Sequence, residues 1–158
     1  MNILLAVDVQ REFVKDEVGE SIYKKCIDYI NEHAHEYDCV FAAVYQNGDN
    51  PNMQRLVGYN ELKSVTPLEF ISDRVCYHSG YSIKQYPELT HDDNVDIIGF
   101  DTDACVLSAA FRVFDIGCGM RLLTDFMWSS GGEEFHDAGL TVMKRQFGKA
   151  VIYGEMCI

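Results

Sequence analysis

No cluster of basic residues occurs anywhere in this chain, and 13 Lys plus Arg stand against 25 Asp plus Glu for a formal net charge of −12. That balance offers nothing to a phosphate backbone or an anionic lipid surface, so the expected partners exclude nucleic acid and membrane. No apolar run is long enough to span a bilayer. The opening MNILLAVDVQ carries no basic segment and no small-residue cleavage site, which argues against a signal peptide and for a cytoplasmic protein. A C-x-x-C pair and a zinc-ligand set are missing as well. The six cysteines, at 26, 39, 76, 105, 118 and 157, are scattered through apolar segments, as buried thiols in a reducing compartment would be. Repeats, linkers and low-complexity stretches are also absent. With 158 residues and 47% apolar content, the chain is expected to form one domain, residues 1–158, around one core. No metal and no cofactor are expected.

What the chain does have is an alternation of strand and helix signals. Ile3 to Val9 reads as a buried parallel strand whose carboxyl end carries Asp8, followed by the polar Gln10-Arg11-Glu12. Residues 19 to 36 place Ile22, Tyr23, Cys26, Ile27, Tyr29 and Ile30 at helical spacing. Cys39 to Tyr45 is a second strand, and QNGDNPN after it is rich in turn residues. A short helix around Met53, Leu56 and Val57, a third strand over Arg74 to His78 and a turn of helix over Tyr86 to Leu89 follow. Residues 46 to 70 read either as a lid or as a connection. The last elements are strands over Val95 to Phe100, Met120 to Phe126 and Ala150 to Tyr153, with an amphipathic helix over Glu133 to Phe147. Such alternation indicates an α/β fold, with a mainly parallel sheet and a ligand site outside the carboxyl ends of its strands.

The stretch GFDTDACVLSAAFRVFD, Gly99 to Asp115, is the centre of that plan. Thr102 or Asp103 is expected to cap a helix that presents Val106, Leu107, Ala110, Phe111, Val113 and Phe114 on one face and stops at Gly117. Cys105 then sits in the first turn, where unpaired N–H groups and the helix dipole favour a thiolate and can hold an oxyanion. Asp8, His78 and Cys105 are thereby expected at one edge of the sheet. A thiol with an imidazole and a carboxylate beside it has the makings of a nucleophile with its base.

These residues resemble a known family, the isochorismatase-like cysteine hydrolases, which include nicotinamidases and N-carbamoylsarcosine amidases. Val7-Asp8-Val9-Gln10-Arg11-Glu12-Phe13 is similar to the family's D-x-Q-x-x-F opening, and Gly99 to Val106 is similar to its G-x-x-T-x-x-C-V nucleophile motif. The resemblance implies a three-layer α/β/α domain of Rossmann-like build and a Cys-Asp-Lys triad. It makes Cys105 the nucleophile and Asp8 the acid/base, with a cis bond at Phe100–Asp101 and oxyanion donors from the Asp101 and Cys105 backbone. It also implies a pocket lined by Phe13, Tyr81 and Trp128 and a homo-oligomer of two or four copies, while Gln10 is expected either to contact substrate or to finish the strand.

The chain departs from that pattern twice. Where the family has a lysine three residues before a Tyr-Ser pair, His78 precedes Tyr81-Ser82, and neither Arg74 nor Lys84 stands in register to replace it. Either His78 completes a Cys-His-Asp arrangement or the pocket has lost its activity and now binds a small molecule or serves in assembly. The second departure is in QNGDNPNMQ, which offers Asp49 but none of the histidines of a nicotinamidase metal site. A third class, thiol redox chemistry, would need Cys76 to approach Cys105. The remaining polar signals are expected to be structural: His33 and His35 on the surface, His91-Asp92-Asp93 in a solvated turn, Asp115 and Asp125 as caps or turn formers.

Overall fold

A computed structural model describes residues 1–46, 50–57, 70, 72–83 and 88–154. Its strands are β1 (Asn2–Val7), β2 (Cys39–Tyr45), β3 (Arg74–His78), β4 (Asn94–Gly99), β5 (Gly119–Met127) and β6 (Ile152–Tyr153). The helices are α1 (Glu17–His33), α2 (Pro51–Arg55), α3 (Cys105–Ile116) and α4 (Glu133–Phe147). The six strands form one sheet in the order β3-β2-β1-β4-β5-β6, and every neighbouring pair is parallel. The first half of the turn of helix expected over Tyr86 to Leu89 and most of the segment over 46 to 70 lie outside the described residues, as do Asp49 and Lys84, and Glu88 and Leu89 are not helical.

Side-chain alternation along the strands divides the core into two. In β1, Ile3, Leu5 and Val7 face one side with Phe41, Ala43, Val95 and Ile97, and they pack on Val106, Ala110 and Val113 of α3 and Leu140 and Met143 of α4. Leu4 and Ala6 face the other side with Val40, Ala42, Val44 and Ile98, against Ile22, Tyr23, Cys26 and Ile30 of α1. Both faces of these strands are therefore apolar, which is why β1 and β2 read as continuous hydrophobic runs. The result is a three-layer α/β/α sandwich. Truncating Leu4 or Leu5 to alanine at this depth costs about 2–5 kcal/mol.

The order of the strands decides where a ligand fits. From β1 the chain winds outward through β2 to β3, then returns to the other side of β1 with β4 and continues outward through β5 to β6. The switch point lies between β1 and β4, so the loops leaving these two strands splay apart and leave a crevice above their carboxyl ends. Those loops hold Asp8 and Cys105. The two strands run unusually close there: a Cβ on Gly99 (φ +122°) would lie 1.9 Å from the Val7 carbonyl oxygen. Only glycine fits that position.

Three local expectations change. Strand β1 ends at Val7, because Asp8 takes a left-handed conformation (φ +50°) held by its N–H donating to Ala43 O at 2.9 Å and its carbonyl accepting from Gln10 N–H at 2.7 Å. Asp93 is buried rather than solvated, accepting from the N-terminal ammonium at 2.6 Å and from the Thr90 N–H at 2.8 Å. On α3, Phe111 and Phe114 lie outside the core and gather instead on Phe147 of α4, with ring centroids 5.0 and 5.2 Å from it. Gly117 ends α3 in the left-handed region, as its position in the sequence implies.

Candidate active site

Asp8 and His78 meet at the carboxyl ends of β1 and β3. His78 Nε2 lies 2.7 Å from Asp8 Oδ1, both side chains almost wholly buried, and His78 Nδ1 lies 2.6 Å from the Gly80 carbonyl oxygen. A carbonyl only accepts, so Nδ1 carries a proton and donates it. One further proton is then shared between Nε2 and Asp8, and the pair is neutral as a whole whether it sits as imidazolium and carboxylate or as imidazole and acid. Burial drives the Asp8 carboxyl above the usual carboxylate range, opposed by the His78 hydrogen bond and charge. Burial works against charge on His78, yet the Asp8 hydrogen bond and charge outweigh it, and its pKa stands above the ordinary value. The other Asp8 oxygen, Oδ2, is buried and has no aligned hydrogen-bond partner. The Cys105 thiol is near enough that each group shifts the other's proton affinity.

Cys105 is the first residue of α3, but neither expected cap is used. Ala104 occupies the cap position without a side-chain bond. Thr102 is instead paired through Oγ1 with His136 Nδ1 of α4 at 2.8 Å, and Asp103 Oδ1 accepts from Ser129 Oγ at 2.6 Å. The Asp101 carbonyl takes the N–H groups of Ala104 and Val106, both at 3.0 Å, and so performs the capping that the side chains do not. Among the described residues the N–H groups of Asp101 and Cys105 make no backbone hydrogen bond, and the former is directed at the Cys105 sulfur. The peptide Phe100–Asp101 is cis. The expectation of a resting thiolate is reversed: burial first, then the charges of Asp8 and Asp101, push the Cys105 thiol well above its ordinary pKa, and the Asp101 amide offsets this only in part. The helix terminus loses to desolvation and two carboxylates.

Cys105 opens on a cavity of about 210 Å³. Its walls include Phe13, Tyr45, Tyr81, Asp101, Asp103 and Phe135. Phe13 and Tyr81 line this cavity, whereas Gln10 and Trp128 do not. The Gln10 amide is fully engaged with Tyr45, donating to its carbonyl at 3.0 Å and accepting from its N–H at 2.7 Å, which fixes the end of β2. Trp128 stacks on His136 with ring centroids 4.8 Å apart and donates to Asp16 at 3.1 Å, facing a separate depression beside α1. The SSGG segment, Ser129 to Gly132, supplies residues that the sequence reading missed. Ser130 donates from N at 2.6 Å and from Oγ at 2.7 Å to the two oxygens of Asp101. The clue was available, since this turn-rich segment follows the carboxyl end of β5, where the fold class puts ligands. Asn50, ahead of α2, bonds Ser79 O at 2.9 Å and accepts from the Met53 N–H, tying the Met53 wall to the loop after His78. Among the described residues no group of three His, Cys, Asp or Glu side chains is arranged to hold a metal.

The sequence finds no match among curated proteins. Solved structures share its fold. A nicotinamidase from Bacillus subtilis superposes with a TM-score of 0.75 at 17% identity, covering 97% of this chain and 99% of that one. A pyrazinamidase/nicotinamidase from Streptococcus mutans gives 0.73 at 16% identity, covering 96% and 99%. An isochorismatase-like hydrolase from Alkaliphilus metalliredigens gives 0.72 at 20%, covering 91% of each chain. The family model for the isochorismatase domain matches residues 2–153, nearly the full length, and the chain belongs to that family.

Proposed function

We propose that this chain is a cysteine-dependent hydrolase of a small amide or related C–N bond, working through a thioester. Most members of its family are cysteine hydrolases that act on amides. The observation that carries the reading is the buried Asp8 carboxyl in contact with the Cys105 thiol and backed by His78, with Cys105 opening on the Asp101 cavity. In the imidazolium and carboxylate form of the pair, Oδ2 takes the thiol proton as sulfur attacks the substrate carbonyl carbon. The negative charge then moves to sulfur and on to the carbonyl oxygen, while His78 keeps its positive charge next to the newly protonated Asp8. That ion is the counterpart of the family lysine. The Asp101 and Cys105 N–H groups receive the oxyanion. Asp8 returns its proton to the leaving ammonia or amine as the C–N bond breaks, and water, giving a proton to Asp8, splits the thioester to the carboxylic acid.

A raised thiol pKa suits this cycle, because a base that deprotonates sulfur only when substrate is bound needs no standing thiolate. The same observation favours a second reading, a pocket that binds a small molecule without turning it over. Ammonia release from a panel of small amides separates the two. Cys105→Ala, with its circular dichroism unchanged, is expected to reduce release by about a thousandfold or more, and the acyl-enzyme is expected as a mass increment on the Cys105 peptide. Turnover persisting in that variant would remove the mechanism. The reading extends to a cytoplasmic homo-oligomer with a small-molecule substrate and no cofactor.

A further inference from the structure

The cavity over Cys105 carries charge of one sign. Its charged side chains among the described residues are Asp101 and Asp103, and no lysine, arginine or histidine joins them. Both carboxylates are fixed by neutral donors: Ser130 N and Oγ on Asp101, Ser129 Oγ on Asp103. Hydroxyl and amide dipoles set their positions without cancelling their charge. The Asp8–His78 pair, with its single shared proton, is neutral as a unit and cannot cancel it either. Burial first, and then the neighbouring carboxylates, Asp103 above all, raise the proton affinity of Asp101.

The other walls are aromatic. Phe13 and Tyr45 stand edge to face, with ring centroids 6.0 Å apart, Tyr81 is half exposed at the side, and Phe135 lies against Gly131. Aromatic faces bind cations, and carboxylates across a cavity from them do so too; an anionic or strongly hydrated neutral ligand gains from neither.

We propose that this cavity selects a small organic cation, an amide or related C–N carbonyl compound with a quaternary or protonated nitrogen held between the Asp101 and Asp103 carboxylates and the aromatic wall. The amide half of this statement rests on the hydrolase reading above; the charge half does not. A positive ligand also suits a protein of net charge −12, whose field draws cations toward it.

The test uses two amides of one shape that differ in charge, trimethylammonioacetamide and 3,3-dimethylbutanamide. Binding is measured by calorimetry on Cys105→Ala, which removes turnover, and ammonia release is measured on the native chain. The cationic amide is expected to bind about tenfold more tightly than its neutral isostere or better. Asp101→Asn and Asp103→Asn, each introduced into the Cys105→Ala protein, should lose most of that preference while keeping the affinity for the isostere, since asparagine retains the bonds to Ser130 or Ser129. Equal or weaker binding of the cation, no binding of either amide, or a preference that survives both asparagine variants overturns the proposal. Charge preference in binding with no ammonia release leaves the cation site standing and removes the hydrolase reading. Release from the neutral amide with no preference does the reverse.

Discussion

At the amino ends of the strands, Asp96 accepts from both Arg121 and Tyr37, and Asp93 accepts from the N-terminal ammonium; at the carboxyl ends, Asp101 and Asp103 face a cavity that no cation joins among the described residues. The Asp93 carboxyl is held below the usual range by the ammonium it touches. Asp101, buried beside other carboxylates, is pushed up to about 6. One sheet thus has an edge where acidic groups are neutralised and an edge where they are not. Neutralised charge serves the fold, and charge left without a partner is available to a ligand, at some cost to the empty protein.

The largest effect is expected where the two regions are joined through the strands themselves. Gly99→Ala drives a Cβ to within 1.9 Å of the Val7 carbonyl oxygen, backbone against backbone, at the point where β1 and β4 deliver Asp8 and Cys105. A loss of more than about 3 kcal/mol is expected, read as a collapse of the urea midpoint or as insoluble protein; a variant within 1 kcal/mol or so of the parent would mean that the strands can part freely. Next comes Asp96→Ala at the amino edge. It leaves the Tyr37 hydroxyl and the Arg121 guanidinium without their shared acceptor, a loss of about 2 kcal/mol or more in the same assay. No change in pocket binding should accompany it.

The carboxylate at the opposite edge should behave the other way. Asp101 has a folded pKa of about 6, against about 4 in the unfolded chain. The folded state therefore binds this proton more tightly, and ionised Asp101 penalises the fold above pH 6. Asp101→Asn, which keeps the Ser130 contacts, is expected to stabilise by about 1 kcal/mol at pH 7–8, with the gain fading as pH falls from about 6 to about 4. Stabilisation from deleting one buried acid and loss from deleting the other would confirm the contrast between the two edges; destabilisation by both would end it.

How far the sequence discloses all this depends on whether the determining interaction is local. Strand and helix periods are local, so α4 and β2 take the bounds expected of them, but the single core expected of the composition is divided in two by the sheet, because the strands are apolar on both faces. That Asp8, His78 and Cys105 lie together at one edge was legible because each stands at the end of a strand or the start of a helix in a fold whose ligands gather at that edge. What escaped was decided by distant partners. Thr102 and Asp103 look like caps until His136 and Ser129, each more than twenty residues away in sequence, claim their side chains. Gln10 reads equally as a ligand contact or as the end of a strand until the Tyr45 backbone takes both ends of its amide. The thiolate expected of a helix terminus failed in part for a similar reason, since desolvation by the packed core, the Asp8 carboxylate from the loop after β1 and the nearby Asp101 carboxylate together outweigh a local dipole.

The smallest change to the fold, and the finest probe of the site, is His78→Lys. In the native chain the charge beside Asp8 is an imidazolium whose pKa is raised above the ordinary histidine value by its Asp8 contact. As pH rises through that value the cation is lost, and the Cys105 thiolate loses the positive group that balances it. A lysine in its place keeps its charge to higher pH, although it forgoes the bond to Gly80 O. Alkylation of Cys105 by iodoacetamide, followed on its peptide by mass spectrometry from pH 6 to 10, reads this directly and needs no substrate. The lysine variant is expected to match the native rate at the acid end and to exceed it increasingly on the alkaline side, with His78→Ala slower than both below the histidine pKa. If all three proteins share one profile, position 78 carries no charge that the sulfur feels.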